Sequence, residues 1–304
     1  MIFICILDMV KYFNLNRKVI AYKTTESWTS VPHVSFIYEA DVTKALQVLK
    51  TVNEQSGIHI TLNTLMLKIF TEAIKAAPQI NAHIKYNPGC ISGKIEYKKQ
   101  VNISVPLLLA NQEMVTINLL GFENKSLTQM QEYIDRTKEK IENCNIEIPL
   151  YRVCIENLKS DFKNGHFLKV LGAIVGTIIG KSKTSKPKKD EIRKYNKIPA
   201  ENKILPRDLV PGTITISNLG SLYKNLKGYM TLLEIIPPQV CAIGIGAVQE
   251  KAGILIKKDK KEIGIKSILP VCIVFDHRAL NFNEVIPFIK KLDEIFEHCH
   301  MQRH

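Results

Sequence analysis

The stretch Ile268-Leu269-Pro270-Val271-Cys272-Ile273-Val274-Phe275-Asp276-His277-Arg278-Ala279-Leu280-Asn281 decides the reading of this chain. An apolar run ends abruptly in Asp-His-Arg. The run reads as a buried strand, and the charged triplet as the place where it emerges. A histidine held there sits at a rigid, partly desolvated position. Its imidazole can stay neutral near pH 7 and act as a general base. Alone, a strand-end histidine is more often structural, so its surroundings matter.

Working outward, ILIKKDKKEIGIKSILP (254–270) reads as a hairpin with a charged tip. VCAIGIGAV (240–248), after Pro237 and Pro238, reads as a buried strand, and PGTITISNLG (211–220) as a β-branched strand ending in a turn. Residues 283–299 form a helical pattern with Val285, Phe288, Ile289, Leu292, Ile295 and Phe296 on one face. Nearer the N-terminus, residues 30–40 read as a strand, and Asp41 opens an amphipathic helix. Thr61 is placed to cap a second helix that should stop before Pro78. Strand-like runs fill 95–120, and Ser126 with Gln129 forms a capping-box pattern ahead of a third helix. Strands alternating with helices and closing in hairpin-linked strands imply a mixed sheet with helices on one face.

Composition narrows the function classes. Hydrophobic residues make up 45% and charged residues 23%, which excludes a disordered, collagen-like or multi-span membrane chain. Lys and Arg number 42 against 29 Asp and Glu, a net charge of +13. Such a balance suits nucleic acid, a membrane surface or an anionic cofactor. Eight basic and two acidic side chains fall within 181–200, so one segment carries much of the excess. No nucleic-acid-binding motif accompanies it, and nucleic acid is not an expected partner. The seven cysteines are scattered without a CxxC pair, so no disulfide framework or zinc site is expected and a reducing cytoplasm fits. Cys241 and Cys272 read as small core residues. His298, His300 and His304 read as part of a solvated terminus, and no metal is expected. MIFICILDMVKYF (1–13) is interrupted by Asp8 and lacks a basic leader; it reads as a strand, not a signal peptide.

The middle is unusual. Residues 151–166 are mixed in character. FLKVLGAIVGTIIG (167–180) is an apolar helix too short to span a bilayer, which needs about 20 residues. The basic residues of 181–197 follow as a loop. Two readings compete for 167–189: a buried or subunit-facing helix with a solvated loop, or an interfacial helix touching a membrane through a polybasic flank.

Four blocks in a fixed order carry a family resemblance. They are SWTSVPHVSF (27–36), GTITISNLG (212–220), IIPPQVCAIGIG (235–246) and DHRALN (276–281), with RKVIAY (17–22) ahead of them. The chain resembles the catalytic domain of the acyltransferase component of 2-oxo acid dehydrogenase complexes, whose terminal motif is His-x-x-x-Asp-Gly. The resemblance implies a two-layer α/β (α+β) fold like chloramphenicol acetyltransferase, assembled as a trimer or larger. It implies one acyltransferase domain over 1–304, with an insert at about 151–200 and no lipoyl domain of its own. It also implies transfer of an acyl group between coenzyme A and a dihydrolipoyl thiol supplied in trans. His277 would be the general base, Ser217 the oxyanion donor and Asn281 the loop-ordering residue. His277 and Ser217 would come from neighbouring subunits.

The chain departs from the pattern in two places beside the histidine. Asn281 replaces the usual Asp, keeping hydrogen-bonding capacity without charge. Phe282 replaces a Gly, so the turn is expected to be reshaped. Two alternatives stay open: a stand-alone acetyltransferase acting on a small hydroxyl or amine, and a catalytically weak trimeric scaffold.

Overall fold

The computed structural model describes residues 10, 12–109, 112–163, 165, 167–178, 183–184, 186–257 and 260–298. The expectations for the N-terminal strand, for His300 and His304, and for residues 179–182 lie largely or wholly outside these. In chain order the elements are α1 (Leu15–Ser30), β1 (His33–Asp41), α2 (Thr43–Ser56), α3 (Leu62–Ala76), β2 (Ala82–Asn87), β3 (Ser92–Tyr97), β4 (Ile103–Leu108), β5 (Met114–Leu119), α4 (Leu127–Asn143), α5 (Glu147–Lys163), α6 (Phe167–Ile178), α7 (Lys189–Lys197), β6 (Ile214–Asn218), β7 (Cys241–Ile245), β8 (Gln249–Lys257), β9 (Lys260–Asp276) and α8 (Phe282–His298). The chain divides into two compact units. One comprises residues 1–23 and 139–209, the other 24–138 and 210–304.

The larger unit holds a seven-stranded sheet in the order β1-β9-β7-β6-β4-β5, with β8 also paired to β9. The β4–β6 and β6–β7 pairs are parallel and the rest antiparallel, which meets the expectation of a mixed sheet. From Leu269 to Asp276 every residue of β9 is buried, as is all of β7. A run buried on both faces has no polar alternation, which is why 268–275 is so uniformly apolar. One face is covered by Ile235 and the coil residues Met230, Leu232 and Leu233, packed with Val31, Ala242, Cys272 and Val274. Elsewhere α8 packs against β1 and α3, and α2 against β9, with Phe70 stacked on Phe288 at 6.4 Å between ring centroids.

Local chemistry sets the helix starts. Thr61 accepts from Thr64 N–H, and Ser126 and Gln129 exchange backbone bonds as a capping box. Asp41 Oδ1 accepts from Thr43 N–H at the start of α2.

β9 is one strand of 17 residues, not a hairpin arm followed by a separate strand. Pro270 made it read as two. Its carbonyl accepts from Gly246 N–H, so its donor-less nitrogen faces the gap where pairing passes from β7 to β8. No ladder bond is lost there. Beyond this point β8 and β9 form a ribbon. Ile254, Ile256, Ile263 and Ile265 share one of its faces and are all exposed.

The smaller unit packs around Tyr195, which is 2% exposed. Its hydroxyl donates to Ile204 O at 2.6 Å, and Arg152 and Lys203 lie over its ring at 5.1 and 4.5 Å. Residues 151–163, read as mixed, are helical; α5 buries Ile148, Leu150 and Val153 near its start, and its later apolar residues Ile155, Leu158 and Phe162 alternate with charged ones. The basic loop expected over 181–197 is corrected from Lys189 onward. Asp190 and Glu191 occupy the first turn of α7 and Lys194 and Lys197 the last, a charge order that favours a helix. Among the described residues no helix is long and apolar enough to cross a membrane.

Replacing Phe288 by Ala should cost about 3–5 kcal/mol. Urea unfolding would show it as a lower midpoint with an unchanged slope.

Candidate active site

The site begins with a buried carboxylate. Asp276 is 0% exposed at the end of β9. Its Oδ1 accepts from Arg278 N–H and Nε at 2.9 and 3.0 Å, and its Oδ2 from Arg278 Nη2 at 2.6 Å. The guanidinium also lies 5.5 Å from the Tyr86 ring. Asp276 O accepts from Ala279 and Leu280 N–H, so both ends of the residue wind the chain into a tight turn.

That turn carries His277. Its backbone N–H donates to Pro32 O at 3.1 Å, beside the start of β1. Its Nδ1 lies 3.1 Å from Leu280 O. A carbonyl can only accept, so Nδ1 bears the proton and Nε2 of the neutral ring bears a lone pair. The ring is exposed, edge-on to Phe275 at 6.1 Å. This is the arrangement of a base: one nitrogen tied down, the other open.

Asn281 and Phe282 follow directly. Asn281 N–H donates to Glu284 Oε2 at 2.8 Å, and its carbonyl accepts from Glu284 N–H, so Asn281 caps α8. Phe282 opens that helix, with its ring edge-on to Phe36 at 5.5 Å. Positive φ among non-glycine residues is confined to Ile91 and Gln112 among the described residues, so Phe282 needs no glycine-like backbone. The turn absorbs the substitution by starting a helix.

Ser217 lies elsewhere. It is half-buried on β6, in register with Gly244 of β7, which is in register with Cys272 of β9. His277 is five residues beyond Cys272, about 16 Å at the usual strand rise, and β6 is two strand spacings away, so Ser217 and His277 of one chain lie on the order of 19 Å apart. The fold does not bring them together within one chain.

The blocks around Ser217 are joined by a buried polar network. Gly212 N–H donates to Ser104 Oγ at 2.7 Å. Gln239 Nε2 donates to Gly212 O at 3.0 Å, while its Oε1 accepts from Thr215 Oγ1 at 2.6 Å. His83 Nε2 donates to the same Gly212 carbonyl at 3.2 Å. His83 is thus a fastening of the β6 strand. Gln239 was missed; its signal was a lone amide amid a fully apolar run. A Cβ at Gly212 would strike Asn102 O, and one at Gly220 would strike Gly246 O, which fixes both glycines of GTITISNLG. His33 joins the 27–36 block to the 235–246 block. Its Nε2 accepts from Ile235 N–H at 3.1 Å, beside Ser27 Oγ, and burial holds its pKa below the ordinary imidazole value.

Cys241 and Cys272 are buried; burial pushes their thiols up to about 12 and about 11, which disqualifies them as nucleophiles. Among the described residues no cluster of three His, Cys, Asp or Glu is arranged to hold a metal ion.

This fold and these blocks define an acyltransferase catalytic domain. The family model for 2-oxoacid dehydrogenases acyltransferase (catalytic domain) matches residues 10–149 and 181–302, and the chain belongs to that family. The dihydrolipoyllysine-residue acetyltransferase component of the pyruvate dehydrogenase complex of Rickettsia bellii is 24% identical over 87% of this chain and 47% of its own length. The chain spans about half the length of the curated relatives it matches. A probable dihydrolipoamide acetyltransferase from Listeria monocytogenes has a similar structure, with a TM-score of 0.63 at 17% identity, covering 98% of this chain and 97% of that one. So has the Azotobacter vinelandii dihydrolipoamide acetyltransferase (TM-score 0.63, 17% identity, 95% and 91% covered), studied for the role of a serine, a histidine and an asparagine in its catalytic mechanism.

Two outcomes follow. Replacing Arg278 by Met leaves the Asp276 carboxylate buried and unpaired, and should cost about 3–5 kcal/mol, read as a lower urea midpoint. The second concerns pH. The His33 and His83 pKa values are depressed in the folded chain, chiefly by burial. The unfolded chain, titrating near pH 6.5, therefore takes up protons first as pH falls. Stability should drop on acidification through and below that point, and His33→Gln should flatten the drop in urea melts run at successive pH values.

Proposed function

We propose that this chain transfers an acyl group between coenzyme A and a dihydrolipoyl thiol presented by another protein or domain. The observation that carries the reading is the 3.1 Å approach of His277 Nδ1 to the Leu280 carbonyl. With Nδ1 bound to Leu280 O, Nε2 is left as a proton acceptor at a rigid strand end.

The steps follow from that atom. A free thiol is only a few per cent thiolate at pH 7, roughly, given a pKa near 8.5. His277 Nε2 takes the thiol proton as sulfur attacks the thioester carbonyl. The carbonyl oxygen becomes an oxyanion, and the Ser217 hydroxyl donates to it. Collapse breaks the old carbon–sulfur bond. The departing thiolate recovers the proton from the His277 imidazolium, and the neutral base is restored. Asn281 contributes through the cap that fixes the turn. The Azotobacter relative's serine, histidine and asparagine are matched in type by Ser217, His277 and Asn281.

The separation of Ser217 from His277 within one chain supports a site completed by two copies, in a trimer or a larger assembly. The β8–β9 ribbon supports the same reading, because four exposed isoleucines on one face require a cover.

Thiol release from acetyl-coenzyme A in the presence of dihydrolipoamide tests the chemistry. His277→Ala should lose about 10²–10⁴ in rate, and Ser217→Ala about 10²–10³ in kcat. Background rates for both the native chain and the variants would overturn the reading. Co-assembling the two variants should restore part of the activity, since some sites then receive both native residues. If no mixture restores any, the two groups do not serve one site across copies.

A further inference from the structure

α6 lies in the smaller unit and carries none of the residues of the proposed chemistry. The family match omits residues 150–180, which contain this helix. Within the smaller unit it lies against α5, where Phe162 and Phe167 meet edge-on at 5.2 Å, and Val170 is buried. Its C-terminal end is fixed by Lys18 Nζ donating to Gly176 O at 2.8 Å and Thr184 N–H donating to Thr177 O at 3.0 Å.

The outward face is apolar. Leu168 is 86% exposed, and Phe167, Leu171, Ile174 and Val175 are exposed with it. Positions 167, 168, 171, 174 and 175 form one stripe at helical spacing. The flanks are cationic throughout. From Phe162 to Lys189 the sequence has seven lysines and no Asp or Glu. Lys183, Lys186, Lys188 and Lys189 are exposed.

We propose that α6 is a membrane-docking element: it lies flat in the interface of an anionic lipid bilayer, its apolar stripe at the acyl boundary and the lysines among the headgroups. At twelve residues it is about 18 Å long, too short to cross a bilayer and long enough to lie on one. An apolar stripe edged by exposed lysines is complementary to hydrocarbon beneath negative charge. A second copy seated on the same face would bring an equally cationic flank against the first. The proposal is independent of the acyl-transfer reading.

Vesicle co-sedimentation of the full chain tests it. Binding is expected to phosphatidylglycerol vesicles, to be weak on phosphatidylcholine vesicles and to fall with added salt. Leu168→Glu with Leu171→Glu should abolish binding while leaving the far-ultraviolet dichroism intact, since both side chains are exposed. A second variant with Lys183, Lys186, Lys188 and Lys189 changed to Gln should bind at least about ten-fold more weakly. No binding by the native chain, or binding that survives the double Glu change, overturns the proposal. So does loss of sedimenting mass in the Glu variant with no vesicle binding by the native chain, which would make the stripe a contact between copies.

Discussion

A carboxylate with no exposure to water ends the buried half of β9. Left unpaired it would unfold the region around it; paired with the guanidinium two residues on, it becomes the corner on which the turn is built. Arg278 must fold back to reach Asp276, and folding back sends His277 outward between them. The carbonyl of Leu280, delivered by the same turn, then selects which imidazole nitrogen keeps its proton. The placing of the histidine ring is thus inherited from an ion pair between its two neighbours.

The four blocks that stand out in the sequence are joined in space by groups of modest appearance. Gln239 ties the strand of Ser217 to the chain after Pro238, and His33 ties the start of β1 to Ile235. Gln239 is fully buried and His33 half-buried, and a bonded polar side chain so placed fixes a strand's position as apolar contact alone does not. The fixed spacing between Ser217 and His277 is the other face of that rigidity: the sheet register cannot flex by the distance that separates them.

Much of this was legible in the residues. Apolar runs with β-branching gave β6, β7 and the buried half of β9, and side-chain caps gave the starts of α3 and α4. What escaped has physical reasons. The apolar residues of α5 are interleaved with charges over its second half, which makes the segment look mixed in the sequence. Pro270 is an interruption in sequence but falls where the sheet asks no donor of it. The β2–β3 hairpin is short and mostly exposed, and His83 on it bonds to a glycine 129 positions away. The site residues themselves were visible only because a family pattern lent weight to them; the tautomer of His277 and the fastening role of Gln239 needed the fold.

The isoleucine face of the β8–β9 ribbon bears on how the chain must be made. An uncovered apolar ribbon is a hazard on every newly folded copy, and its neighbours in a crowded solution are other copies of itself. If a second copy is the cover, as proposed, covering follows mass action, and a scarce chain carries the hazard longest.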